Sequence, residues 1–385
     1  MNSAQILERL VGFPTVSRDS NLPLIEYVRE FLAACGTDSR LYLDVDGRKA
    51  NLYASIGPAE QPGILLSGHT DVVPVDGQAW SSAPFELRQR NAQLYARGAA
   101  DMKGFLACAL RAARRAAGMT LRVPLQLAFS YDEEVGCLGV RSLIDDMARW
   151  SQRPRFCIVG EPTLLRPAVG HKGKTAFRAV CRGRAAHSAN PERGVNAIHM
   201  AADLIERIRA RQERIAQSGA RDGAYEVPYT TLHVGVIHGG TVLNIVPSRC
   251  ELEFEFRNIP GDDPAVLVGE LRGDVATVAR SNADSTGPAA AGTGIDLQIE
   301  HDYPALDTPT DADVVELAAA LTGHRQRIKV GYGSEAGLFS ARLGIPTVVC
   351  GPGSIEQAHK PDEFIAVDQL QACDAMMDAL LERLL

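Results

Sequence analysis

Several features are missing from this 385-residue chain, and each absence removes a class of function. No block of Lys or Arg stands out and the net charge is −7, so there is no electrostatic footprint for nucleic acid. No run approaches the ~18 apolar residues that span a bilayer, and no membrane partner is expected. The opening MNSAQILERL places charged and polar residues where a signal peptide would be uninterrupted and apolar, so a cytoplasmic location is expected. The 8 cysteines, Cys35, Cys108, Cys137, Cys157, Cys181, Cys250, Cys350 and Cys373, form no CxxC pair. They read as buried free thiols of a reducing compartment rather than as disulfides or zinc ligands. GCLGV and GPGSIE do not match the GxSxG elbow of serine hydrolases. Neither GxGxxG nor GxxxxGK[ST] occurs, which removes the dinucleotide and phosphate-loop readings.

What is present is an ordinary globular composition, 45% hydrophobic and 23% charged, on a chain long enough for two domains. Apolar or alternating runs at Asn51–Ile56, Gly63–Ser67, Val123–Ser130 and Phe156–Val159 read as strands. Helical patterns lie between some of them, at Met102–Ala117 and Leu138–Ala148, after two helices at Ser3–Val11 and Leu24–Ala34. That alternation predicts an α/β layer with a largely parallel sheet. The character changes after Gly170. Strands at Thr175–Arg182, Tyr229–Ile237, Cys250–Arg257 and Ile295–Glu300 enclose helices at Val195–Gln212 and Pro264–Ala279. The order β-α-β-β-α-β describes a compact ferredoxin-like α+β unit. From about Tyr303 the α/β pattern resumes, with helices at Asp313–Leu321 and Glu335–Leu343, a strand at Thr347–Cys350 and a last helix from Asp368. The expected organisation is one discontinuous α/β domain, residues 1–170 and 303–385, interrupted by an inserted domain, residues 171–302.

Acids and imidazoles collect at the ends of the strands of the larger domain. GILLSGHTDVVP ends in His69 and Asp71, and ARGAADMKGF sets Asp101 at a helix start. PLQLAFS is followed by Asp132, Glu133 and Glu134, FCIVG by Glu161, and IPTVVCGPGS by His359. Ligands of open α/β sheets bind beyond the carboxyl ends of the strands. Singly, each residue has an ordinary use: a loop histidine, a solvated Glu pair, an Asp at a helix N-cap. Together, two imidazoles and several carboxylates suit borderline divalent metals, zinc first. Two cations use the ligands economically, with His69 and Glu161 on one, Glu134 and His359 on the other, and Asp101 bridging. Asp71, two residues past His69, is expected to hold that ring's other nitrogen. Glu133 is the candidate general base for an activated water.

The segments SGHTDVVP, ARGAADMKGF, DEEVG, GEPT, GRAAHSAN and AHKPDEF run in order over nearly the whole chain. In them the sequence is similar to the aminoacylase and carboxypeptidase family of co-catalytic zinc metallopeptidases. The stretches HVGVIHGGTVLNIVPSRCELEFEFRNIPG, YGSEAGLFS and GPGSIEQAHKPDEF resemble the branch that deacetylates N-acetylornithine. The resemblance implies a phosphorylase/hydrolase-like zinc-peptidase catalytic domain with an inserted ferredoxin-like dimerisation domain. It implies the same metal positions, His69, Asp101, Glu134, Glu161 and His359, with Glu161 where some relatives carry Asp. It also implies Glu133 as base and Asp71 as supporting acid, and it adds three features. The inserted domain would pair two subunits, and His187 in HSAN would reach the partner's active site to hold an oxyanion. The peptide after Asp101 is often cis in the family. Asn244 and Arg257 match substrate-contacting positions, and Gly353 and Ser354 lie where backbone groups would line an acyl pocket. The plainer readings are a loop His187 beside a helix beginning near Asn190, a surface Arg257 and a turn at Gly353–Ser354. The expected activity is removal of acetyl from N2-acetyl-L-ornithine for arginine biosynthesis, with two Zn2+ or Co2+ ions and a homodimer. Other expectations are a related N-acyl-amino-acid hydrolase, such as a desuccinylase, an acetylcitrulline deacetylase or a carboxypeptidase, or a non-catalytic binding relative.

Overall fold

The computed structural model describes residues 1–286 and 292–385. It divides into two compact units, Met1–His171 with Leu306–Leu385, and Lys172–Ala305.

The first unit opens with α1 (Ser3–Val11) and α2 (Leu22–Ala33). Asn2 caps α1 by accepting from the Gln5 N–H while the Gln5 side chain accepts from the Asn2 N–H, so two otherwise orphaned donors are satisfied. Ile6, Leu7, Leu10 and Val11 then fall on one buried stripe. The chain continues through β1 (Ser39–Leu43), β2 (Ala50–Ile56), β3 (Ile64–His69), β4 (Arg88–Arg90), β5 (Gln93–Tyr95), α3 (Gly104–Ala116), β6 (Leu125–Ser130), α4 (Val140–Met147), β7 (Phe156–Pro162) and β8 (Ala168–His171). The second unit holds β9 (Lys174–Arg182), α5 (Ala197–Ser218), β10 (Thr231–Gly239), β11 (Arg249–Arg257), α6 (Pro264–Thr286) and β12 (Gly294–Tyr303). The return to the first unit supplies β13 (Leu306–Asp307), α7 (Asp313–Thr322), β14 (Ile328–Val330), α8 (Ala336–Leu343), β15 (Thr347–Gly351), β16 (Phe364–Ala366) and α9 (Val367–Leu384).

The main sheet of the first unit runs β1-β2-β6-β3-β7-β15-β8-β13, with β14 also on β8. Its centre, β6-β3-β7-β15, is parallel. Antiparallel pairs close both margins, so the sheet is mixed around a parallel core. The central strands β3 and β6 are buried along their whole length, as expected of strands covered on both faces. Because the four run the same way, their carboxyl ends share one edge. Gly160 on β7 is required there, since a Cβ would lie 2.0 Å from the fully buried Phe105 ring of α3. Its absence lets α3, which leaves the Asp101 turn, pack flush on the strand that carries Glu161.

The second unit has the sheet order β10-β11-β9-β12, all antiparallel. Along β11, Cys250, Leu252, Phe254 and Phe256 are buried, while Arg249 and Glu253 are exposed and Glu251 and Glu255 only part-buried. This period of two lays one face on a core shared with α5 and α6. All 8 cysteines are free thiols. Among the described residues no helix is long and apolar enough to cross a membrane.

One local expectation needs correction. The helix expected from Met102 begins at Gly104. Asp101 and Met102 have non-helical backbones, at φ −121°, ψ 91° and φ −134°, ψ 31°, and the peptide between them is cis. Several short marginal strands, among them β1, β8, β13 and β16, carry too few residues for a period to show in the sequence.

Candidate metal centre

The shared edge of the parallel strands gathers side chains from distant parts of the chain. β3 ends in His69, β7 carries Glu161, the turn before α3 carries Asp101, the turn after β6 carries Glu133 and Glu134, and the loop after β15 carries His359. The two oxygens of Asp101 face different imidazoles. His69 Nε2 is 3.2 Å from Oδ1 and His359 Nε2 is 3.2 Å from Oδ2. Beyond His69 lies Glu161, whose Oε1 is 3.7 Å from Nε2. Beyond His359 lies Glu134, with Oε1 at 3.2 Å. Asp101 thus stands between a His69–Glu161 pair and a His359–Glu134 pair.

Three observations test whether cations fit here. Ligand-capable atoms of His69, Asp101 and Glu134 lie within 4.8 Å of one another, as do those of His69, Glu133 and Glu161. Glu161 Oε1 is buried with no hydrogen-bond partner, an arrangement that costs free energy unless something positive meets it. The electrostatics of the bare cluster point the same way. Burial first, then the Asp101 charge, pushes Glu161 well above the usual carboxylate range. Burial also lifts Glu134, and lifts Glu133 to about 8, with Glu134, Asp71 and Asp101 adding to the effect on Glu133. Burial opposes ionisation of Asp101 too, yet hydrogen bonds from His359 and His69 hold it below the usual range. Hydrogen bonds to Asp101 and Glu134 raise His359 to about 10. Burial works against a charged His69, but the Asp101 hydrogen bond and the Glu161 charge outweigh it. The bare site is therefore a set of buried acids, several pushed toward their neutral form, around one ionised Asp101 and two protonated imidazoles. A pair of divalent cations suits this donor set and would leave both rings neutral.

The surroundings fix the orientation of the set. His69 Nδ1 donates to the Asp71 carbonyl oxygen at 2.9 Å. A carbonyl only accepts, so in the neutral ring the proton sits on Nδ1 and the Nε2 lone pair faces the cluster. This corrects the expected role of Asp71. Its carboxylate is 3.7 Å from the ring nitrogen and accepts instead from the Glu133 and Glu134 N–H groups, at 3.2 and 3.3 Å, and from Ser17 Oγ at 2.7 Å. Lys49 Nζ lies 2.6 Å from Asp132, which starts the same acidic turn. Cys137 Sγ donates to Glu133 Oε1 at 3.3 Å. Ser17, Lys49 and Cys137 were not singled out from the sequence as part of the site, and only the Glu133–Cys137 contact is local enough to have left a signal.

The remaining candidates lie elsewhere. Gly353 and Ser354 follow β15 in the first unit. The Gly353 N–H donates to Gln369 Oε1 at 3.2 Å, and Ser354 Oγ accepts from the Glu356 N–H at 3.3 Å. In the second unit, His187 is exposed in a loop where Nδ1 accepts from the Ala189 N–H at 3.0 Å. It is next to the exposed Asn244, whose carbonyl accepts from the Ser188 N–H. The helix after it starts at Ala197 under an Asn196 cap, with only a single short turn near Asn190. Arg257 ends β11, with Nε donating to Glu255 at 2.8 Å.

Residues 65–383 match the model of peptidase family M20/M25/M40. The chain is 35% identical to the acetylornithine deacetylase of Myxococcus xanthus over 379 residues, 96% of this chain and 94% of that one. Its fold is similar to that of the M20 family metallo-carboxypeptidase Sso-CP2 from Sulfolobus solfataricus, with TM-score 0.79 and 22% identity over 99% of both chains. It is also similar to the Bacillus subtilis YXEP protein, a dinuclear metal-binding peptidase from the M20 family, with TM-score 0.63 and 16% identity over 99% of this chain and 97% of that one.

The protonated cluster predicts a pH signature for metal-free protein. His359 keeps its proton up to about 10 and Glu133 up to about 8, whereas the unfolded chain releases them near 6.5 and 4.5. Between pH 6.5 and 8 the folded state therefore binds more protons, and stability falls as pH rises. Lys103, which burial lowers to about 7, opposes this with a single proton. Chelated protein should unfold at lower urea at pH 8 than at pH 6.5, and saturating zinc should remove the difference. A urea midpoint that rises with pH in chelated protein contradicts this balance.

Proposed function

The chain belongs to peptidase family M20/M25/M40, and from that membership we propose that it is a metal-dependent amidohydrolase splitting N2-acetyl-L-ornithine into L-ornithine and acetate. Asp101, sharing its carboxylate between His69 and His359, carries the hydrolase part of this proposal. The full-length similarity to an acetylornithine deacetylase supports the substrate. On this reading His69 and Glu161 hold one cation, Glu134 and His359 the other, and Asp101 both. The cations are zinc, with cobalt or manganese as substitutes, since ligand type alone does not separate these metals. The enzyme works in the cytoplasm, in arginine biosynthesis, as a homodimer paired through its inserted unit.

Bound cations would supply an acidified water and a polarised amide carbonyl. Glu133 takes a proton from the attacking water and returns it to the leaving amine nitrogen. Bound cations would favour the ionised form of its buried carboxyl, the form that accepts that proton. Asp71 and Cys137 hold Glu133 by its N–H and its carboxylate, so little motion accompanies the transfer. His187, from a second copy of the chain, donates to the developing oxyanion. Arg257 forks onto the substrate α-carboxylate with Asn244 beside it, and the Gly353–Ser354 backbone lines the acetyl pocket.

Acetate release from N-acetyl-L-ornithine tests the proposal directly. Activity should vanish on chelation, return with zinc, and exceed that on N-acetylmethionine or N-succinyl-diaminopimelate; a preference for either of these replaces the substrate assignment. Glu133→Gln should keep its zinc and lose about 100- to 10,000-fold in turnover, and near-normal turnover removes it as base. His187→Ala should also be slow with full zinc, and mixing it with Glu133→Gln should restore activity through hybrid dimers. No recovery on mixing contradicts the shared site.

A further inference from the structure

Glu363 stands four residues after His359 and is 1% exposed, as is its ion-pair partner Arg97. Its carboxylate accepts four hydrogen bonds. Oε1 takes the N–H groups of Ala100 and Asp101 at 2.9 and 3.1 Å. Oε2 takes the Gly98 N–H at 2.9 Å and Arg97 at 2.8 Å. The backbone carbonyl of Glu363 accepts from the Ala96 N–H at 3.0 Å. Arg97 also donates to the Lys360 carbonyl at 3.4 Å and to Gln78 Oε1 at 2.6 Å, and Gln78 Nε2 donates to the His359 carbonyl at 3.2 Å. One buried carboxylate and its arginine thus stitch the whole 96–101 turn to the 359–363 loop.

Those two segments are distant in the sequence and bring Asp101 and His359 to the cluster. Neither is held there by regular structure. The Asp101 backbone is extended ahead of its helix, and His359 has a left-handed φ of 63° outside any strand or helix. Left-handed backbone is unfavourable for a residue with a Cβ, so the loop needs external support. The Gln78 and Arg97 contacts to the His359 and Lys360 carbonyls provide it.

We propose that Glu363 is a positioning residue for the metal centre: with Arg97 and Gln78 it clamps the Asp101 turn to the His359 loop and so sets how far apart two cations are held. This rests on the reading of Asp101 and His359 as ligands, and it adds a residue that touches neither metal nor substrate. A glutamine at 363 keeps the shape but turns an NH2 group toward N–H donors that need an acceptor, so the two segments separate.

The test is zinc titration of metal-stripped full-length protein against a chromophoric chelator, with kcat and KM measured at limiting and at saturating zinc. Wild type should bind two cations. Glu363→Gln should bind the weaker one about 10- to 100-fold less tightly, with kcat lowered at limiting zinc, KM unchanged, and kcat recovering as zinc is added. A residue that merely stabilised the fold would not move zinc affinity in this way. Affinities within twofold of wild type in folded Glu363→Gln overturn the proposal. Should that variant not fold, Gln78→Ala leaves the buried pair in place and should still weaken the second cation several-fold; unchanged affinity there overturns it equally. Wild type that binds fewer than two cations overturns the metal-centre reading, and the proposal with it.

Discussion

Asp101 offers one carboxylate to two imidazoles that arrive from opposite ends of the chain, and most of the first unit serves to make that meeting possible. Bringing buried acids together is costly, because each loses its hydration and repels the others. The parallel centre of the main sheet does so by pointing β3, β6, β7 and β15 at one edge. Gly160 lets α3 lie close against β7, which keeps the Asp101 turn beside Glu161. The acidic turn after β6 is held by its main chain rather than its ligating side chains. Asp71 takes its N–H groups and Lys49 its leading aspartate. Glu133 and Glu134 are thus presented without being used up.

The same economy decides which group does which job. Glu134 shares its surroundings with an imidazole and Asp101 with two, whereas Glu133 is touched by a weak thiol donor and lies close to His69 and Glu161. Adjacent residues of one turn therefore have different partners. That difference supports treating one as a ligand and the other as a proton carrier. In the second unit, His187 and Asn244 share an exposed loop cluster.

Much of the fold is legible in the sequence where periodicity is strong. The alternation in ELEFEFR and the long apolar strands GILLSGH and LQLAFS place β11, β3 and β6 to within a residue or two. The convergence of His69, Asp101, Glu133, Glu134, Glu161 and His359 could be anticipated because each follows or ends such a strand, or opens a helix. What fails does so for physical reasons. The rule that residues two apart share a face holds only while a strand continues, and β3 stops at His69, so the Asp71 carbonyl meets the ring and its carboxylate turns elsewhere. Asp101 reads as a helix start, yet the backbones of Asp101 and Met102 are non-helical and α3 begins at Gly104. Lys49–Asp132, Ser17–Asp71 and Glu363 with the 98–101 amides join segments far apart in the chain, and no local pattern records which distant partner a buried charge will find.

Anomalous scattering at the zinc edge from crystals of zinc-soaked protein tests the central claim most directly. Two peaks are expected, one within reach of His69 and Glu161, the other within reach of His359 and Glu134, with Asp101 contacting both. A single peak, or peaks that leave Asp101 without a metal, would contradict it.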